Sequence, residues 1–140
     1  MINETKVRVT YKDTDQMGVV YYGNYFTWQE IGRTELLRSL GYTYKQMEEE
    51  KVLLPVIEAT CRYKHPARYD DMVLIKTRIA ELSPVRIVFY YEMMNESGDI
   101  LLAFGSTSHA FVNEAGRPIN LKKRNPEVWE IVSQAVGKSE

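Results

Sequence analysis

The chain reads as an α+β domain, one antiparallel sheet wrapped on a single long helix, and three observations predict it. Strand-period segments follow one another after Pro55 with links of hairpin length, which requires antiparallel neighbours. One earlier segment carries Tyr25, Trp28, Gly32, Leu36 and Leu40 on a helical stripe. That stripe needs an apolar surface to cover it, and one face of the sheet is the only large one available. At 140 residues the natural reading is a single domain over 1–140.

Val7, Val9 and Tyr11 alternate with Lys6, Arg8 and Thr10, which predicts a first strand over 5–12. Residues 11–25, YKDTDQMGVVYYGNY, then turn the chain into the helix near Asn24. Arg38 in the last turn and Gly41 beyond it suit the helix end. Gly32 costs about 1 kcal/mol relative to alanine inside a helix, and on the buried stripe it allows close approach to a sheet. Ile31 falls off that stripe. Thr43 and Gln46 form a capping-box pattern for a short polar helix through about Lys51.

Ile57, Ala59, Cys61 and Tyr63 alternate with polar residues and predict a strand with that face inward. HPARYDD, residues 65–71, is a connection. Val73, Ile75, Thr77 and Ile79 carry the next strand, broken at Ser83-Pro84. RIVFYYEMM, residues 86–94, is apolar at most positions, as in a strand covered on both faces or at an interface. The 95–99 turn, NESGD, leads into a strand from Ile100 to about Val112, with Gly105 as a bulge or bend. A turn at 113–116 follows, then the basic run Lys122-Lys123-Arg124. Asn125-Pro126 starts a last helix carrying Val128, Ile131, Val132 and Ala135.

Composition removes several function classes. A net charge of −1 argues against a general nucleic-acid or membrane-surface role. The single cysteine, Cys61, rules out an intrachain disulfide, argues against a structural zinc site, and reads as a small buried hydrophobe. No apolar run approaches membrane-spanning length, and MINETKVRV lacks a signal-peptide core, so the expected location is the cytoplasm.

Chemistry concentrates in 11–25. Asp13 and Asp15, two apart, point the same way in extended chain, and three readings stay open. They serve as turn formers, as metal ligands lacking further ligands at useful spacing, or as a catalytic carboxylate with a loop-fixing neighbour. Gly18 permits a tight turn. Val19, Val20 and Tyr21 would partly desolvate a carboxylate packed on them. Tyr22 and Gly23 lie where the helix begins, so their N–H groups are candidates to hold an oxyanion. Asn24 suits the helix cap. His65 reads as a surface histidine. His109 lies opposite Ser106 and Ser108 by alternation, which argues against a Ser–His pair. Lys122, Lys123 and Arg124 form a solvated end, or with Arg86 a grip on nucleotide phosphates.

The pattern YxDTDxxGVVYxxNY, the helix WxExxRTELLR behind it and RYKHPARYDD at 62–71 resemble the 4-hydroxybenzoyl-CoA thioesterase-like family of the hotdog fold. The branch with the Tol–Pal-associated bacterial thioesterases is the nearest in pattern. The resemblance spans most of residues 5–112. It implies a five- to six-stranded antiparallel sheet around the long helix, and dimers or tetramers with active sites at the subunit interface. It also implies that Asp15 is the catalytic carboxylate and that the backbone N–H of Tyr22 polarises the thioester carbonyl. Many relatives carry a histidine near the helix start; this chain has Gly23-Asn24 there, and the benzoyl-specific member also has asparagine at the Asn24 position. Hotdog dehydratases use a histidine on the helix side, and none lies between Asp15 and Leu40. The expectation is an acyl-CoA thioesterase without metal or organic cofactor. Its substrate-binding residues would be Gly18, Val19, Gly23, Asn24, Arg86, Lys122, Lys123 and Arg124. A non-catalytic acyl-CoA-binding hotdog protein is the alternative.

Overall fold

Half-buried and exposed residues alternate along the first strand, β1 (Asn3–Arg8), which pairs antiparallel with β3 (Met72–Ser83). The computed structural model describes residues 1–136. β4 (Arg86–Asn95), β5 (Leu101–Ala110) and β2 (Val56–Tyr63) complete one antiparallel sheet of five strands, in the order β1-β3-β4-β5-β2.

The first strand stops short of its predicted end. Val9 is buried, but Thr10 donates both its N–H and its hydroxyl to the Asp13 carboxylate, at 2.8 and 2.9 Å. This local pairing competes with the ladder and winds Tyr11–Asp13 into a 3₁₀ turn, leaving Tyr11 77% exposed.

Helix α1 (Asn24–Ser39) buries Tyr25, Trp28, Gln29, Gly32, Leu36 and Leu37. Ile31 is half-buried against the core. Gly41 follows the helix at φ +85°, the left-handed position expected of it. Gly32 lets the helix backbone rest on β3: a Cβ there would run into the Thr77 hydroxyl and lie 3.0 Å from Ile75 Cγ2. The 16 residues of α1 are not the only helical cover. α2 (Tyr44–Glu49), with both halves of its capping box formed, buries Met47. α3 (Leu121–Arg124) lies beside the β3–β4 turn, Leu121 N–H donating to Pro84 O at 2.7 Å. α4 (Pro126–Val136), capped by Asn125, packs on β3 through Val128, Val132 and Ala135.

One burial expectation is corrected. β2 is a strand, but its predicted inward face is open: Ile57 is 62% and Tyr63 42% exposed, and Cys61 is only half-buried. β2 forms the sheet edge with little of α1 over it, so alternation there marks a surface rather than a core. In β4 one face is buried (Ile87, Phe89, Tyr91, Met93); on the other Val88 is buried as well, and Tyr90 and Glu92 are half-covered, so the strand is covered on both faces to unequal degree. Arg78 supplies part of that cover, 4.8 Å above the Tyr90 ring.

Candidate active site

Asp15 opens a four-residue turn that two backbone bonds and its own side chain define. Asp15 N–H donates to Val19 O at 2.8 Å and Gly18 N–H to Asp15 O at 3.1 Å. Met17 N–H donates to Asp15 Oδ1 at 2.8 Å. Gly18, at φ +76°, supplies the left-handed residue that the turn needs. Val20 N–H donates to Ala67 O at 2.8 Å, and Val20 is buried. This pins the turn to the 65–71 connection, beside Arg68, which bridges to Val19.

The two aspartates do not point together. Asp13 turns back to Thr10, while its carbonyl oxygen accepts from Tyr21 N–H and from Asn24 Nδ2, both at 2.8 Å. Asn24 is therefore not the cap: it is the first residue of α1, Gly23 occupies the cap position without a side-chain bond, and the amide ties the aspartate loop to the helix.

At the helix start, Asn24 N–H donates to Tyr21 O at 2.9 Å and Tyr25 N–H to Tyr22 O at 3.3 Å. Among the described residues, the N–H groups of Tyr22 and Gly23 have no acceptor. No acid sits in the first turn of α1, so the partial positive charge of the helix end is not neutralised there. Around it stand the rings of Tyr21, Tyr22 and Tyr63. The Tyr63 hydroxyl donates to Tyr22 O at 2.9 Å, a bond that strand alternation placed on the right face but could not direct to a partner. A helix terminus with free donors beside a carboxylate can hold a developing oxyanion while the carboxylate works on the adjoining carbon.

The structure differs from expectation on desolvation. Val20 turns into the core, but Tyr21 and Asp15 are exposed, so no packing among the described residues dries the carboxylate.

The basic residues lie elsewhere. Arg86 donates from Nη2 to Ser108 Oγ at 3.1 Å, and Lys122, Lys123 and Arg124 are exposed on α3. Both groups flank the β3–β4 turn, whereas the Asp15 turn sits where β3 begins. A twelve-residue strand separates these ends, roughly 35 Å at the usual rise. Arg8 at the end of β1, Lys12 in the 3₁₀ turn and Arg68 beside Val19 are cations at the Asp15 end, and only the position of the 65–71 segment reveals Arg68. His65 is exposed and pairs through Nδ1 with Leu101 O.

His109 is buried and belongs to a polar string under α1. Leu54 O can only accept, so Nδ1 carries the proton, at 3.0 Å, and Nε2 accepts from the Thr107 hydroxyl at 2.7 Å. Thr107 in turn accepts from Tyr91 at 2.6 Å, and Tyr91 from Arg33 at 3.5 Å. Burial lowers the His109 pKa to about 4, with nearby Arg33 adding to the effect. An unfolded histidine takes up its proton near pH 6.5, the buried one only near 4. Stability from His109 is therefore full above about 6.5 and is lost as pH falls toward 4, a change of about 3 kcal/mol. Urea unfolding across that window should show the slope, and His109→Gln should flatten it; equal slopes would show that His109 does not titrate there.

Comparison with known proteins agrees with this architecture. The model of the thioesterase-like superfamily matches residues 9–135. The Bacillus subtilis protein YneP is 33% identical over 98% of this chain and 99% of its own length. The acyl-CoA thioester hydrolase YbgC of Escherichia coli is 38% identical over 68% of this chain and 71% of its own. The crystal structure of the DHNA-CoA thioesterase from Staphylococcus aureus superposes with a TM-score of 0.90 at 34% identity, covering 95% of this chain and 89% of that one. The sheet order, the packing of α1 and this coverage identify a hotdog fold, and the chain belongs to the thioesterase-like superfamily.

Proposed function

We propose that this chain hydrolyses acyl-CoA thioesters to free acid and CoA, with Asp15 as the working carboxylate and the Tyr22 N–H holding the carbonyl oxygen. The observation that carries this reading is the pair of N–H groups, without an acceptor among the described residues, at an un-neutralised helix start, with the Asp15 turn tied to it through the Asp13 carbonyl. Asp15 either takes a proton from the attacking water or attacks the thioester carbon itself, expelling CoA thiolate and leaving an anhydride for water to open. Asp13 fixes the loop, and Gly18, Val19, Gly23 and Asn24 line the approach. Thiol release over a panel of aromatic, short-chain and long-chain acyl-CoAs tests the reading; binding without hydrolysis across the panel would leave a non-catalytic acyl-CoA-binding protein.

In this reading the chain is one hotdog domain over 1–140, its residues 137–140 lying outside the described part, with α1 as its central helix, and the protein works in the cytoplasm as a homodimer or homotetramer. No helix among the described residues is long and apolar enough to cross a membrane. The Asp-Thr-Asp motif and the α1 sequence favour the branch of the Tol–Pal-associated thioesterases. Assembly is supported by the open edge of β2, where Val56, Ile57 and Tyr63 are all more than 40% exposed. Val56 stands opposite His109, toward Arg86, while Tyr63 stands opposite Ala103, toward Asp15. An antiparallel two-fold pairing along β2 therefore brings the Arg86 and α3 end of a second copy to the Asp15 end of the first. Sedimentation at micromolar concentration should show a dimer or tetramer; a monomer would remove the shared site.

The same pairing supports Arg86, Lys122, Lys123 and Arg124 as the grip on the nucleotide phosphates. Their replacement by alanine should raise KM for acyl-CoA about tenfold with little change in kcat, and leave a truncated thioester unaffected. Equal losses on both substrates would assign them to the fold.

A further inference from the structure

We infer that Tyr63 is a positioning residue: its hydroxyl orients and polarises the Tyr22–Gly23 peptide so that the Gly23 N–H becomes a second donor to the thioester oxygen. This rests on the thioesterase reading above and adds to it a donor and the group that controls it.

The Tyr63 hydroxyl reaches the Tyr22 carbonyl oxygen at 2.9 Å from a strand 41 residues away. The same oxygen accepts from Tyr25 N–H at 3.3 Å, so it is held from two elements. In a trans peptide the carbonyl and the following N–H point in opposite directions, and no cis peptide occurs among the described residues. Holding the Tyr22 oxygen on the β2 side therefore turns the Gly23 N–H to the opposite side, where it meets no acceptor among the described residues. Donation to a peptide oxygen also draws electrons from its nitrogen, which strengthens the N–H as a donor.

The surroundings keep this arrangement in place. The Tyr63 ring meets Tyr25 edge-on at 5.0 Å and Tyr22 at 6.4 Å, which fixes the direction of its hydroxyl. Partial burial, with Cys61 beside it, raises the phenol above its ordinary range, so it remains a donor at neutral pH. A Cβ at position 23 would lie 2.7 Å from Tyr21 Cε2, so the Tyr21 ring already occupies the space a side chain would take. With glycine at 23 the exposed Tyr21 ring rests over this peptide; a side chain there would push the ring aside.

Tyr63→Phe removes the hydroxyl and keeps the ring. In the full-length protein the urea midpoint and the KM for acyl-CoA should stay close to wild type, while kcat falls roughly tenfold, less than for a donor deleted outright. Affinity for a CoA trifluoromethyl ketone, whose hydrate or carboxylate adduct places a tetrahedral oxygen where the oxyanion forms, should fall by the same factor; affinity for a CoA thioether should not change. Difluorotyrosine at 63, assayed where its phenol is protonated, is a stronger donor and should hold or raise kcat. Wild-type kcat in Tyr63→Phe, or equal losses on both analogues, overturns the inference while leaving the thioesterase reading intact. If Tyr63→Phe does not fold, a lowered kcat with difluorotyrosine overturns it. A wild type that hydrolyses no acyl-CoA overturns both.

Discussion

Asp15→Asn should fold as wild type, bind acyl-CoA and lose roughly 10²–10⁴-fold in kcat, the span for a lost base, or more for a lost nucleophile. Its folding is expected because, among the described residues, the side chain's one hydrogen bond is as an acceptor, from Met17 N–H at 2.8 Å, and asparagine accepts equally well. Only the charge is lost. Asp13→Ala tests the contrast. It removes the acceptor of two Thr10 bonds and should cost about 1 kcal/mol of stability with a smaller loss in kcat. A single-turnover reaction in ¹⁸O-water then separates the two routes, since only the anhydride route leaves label in the Asp15 carboxylate. Near wild-type hydrolysis by Asp15→Asn would remove Asp15 from the chemistry.

Gly105→Ala should be the most damaging glycine-to-alanine change among the described residues. Gly105 stands opposite Cys61 across the β2–β5 ladder. A Cβ there would run into the Thr60 carbonyl oxygen, with Thr60 C at 2.8 Å and Cys61 Cα at 2.9 Å. All three are backbone atoms, so no rotamer change relieves the contact. The Thr60 oxygen is also fixed from the helix side, accepting Gln29 Nε2 at 2.9 Å. Relief requires β2 to lift from β5, which gives up ladder bonds and the Gln29 contact together. The expected loss is about 3 kcal/mol or more, a large part of a typical domain's stability. Because β2 carries Tyr63, activity should fall with it. Urea unfolding reads the effect, and a midpoint equal to wild type would mean that β2 is not held as described.

Position 105 also shows where sequence reasoning ran out. Glycine in a strand announced something irregular, and a bulge or bend was the local reading. The actual cause is a carbonyl 45 positions upstream, which no neighbour of Gly105 encodes. Gly32 was more legible, because its place on an apolar helical stripe already says that a close approach is needed.

The sequence by itself determined whatever depends on contacts within a few residues. Periodicity placed α1 and the four later strands, Gly18 and Gly41 marked left-handed positions, and Thr43 with Gln46 made the predicted cap. The candidate site was legible to the same extent: the Asp15 turn and the helix start at Tyr22 and Gly23 are adjacent in the chain. Tertiary structure alone decided which strand became the edge, and hence that the alternating face of β2 is open. It also set Asn24 on the Asp13 carbonyl, Tyr63 on the Tyr22 carbonyl, and the basic residues at the far end of β3 from Asp15. The physical reason is range. Helical and turn hydrogen bonds close within four residues and leave a local signature, whereas strand order and register join residues tens of positions apart.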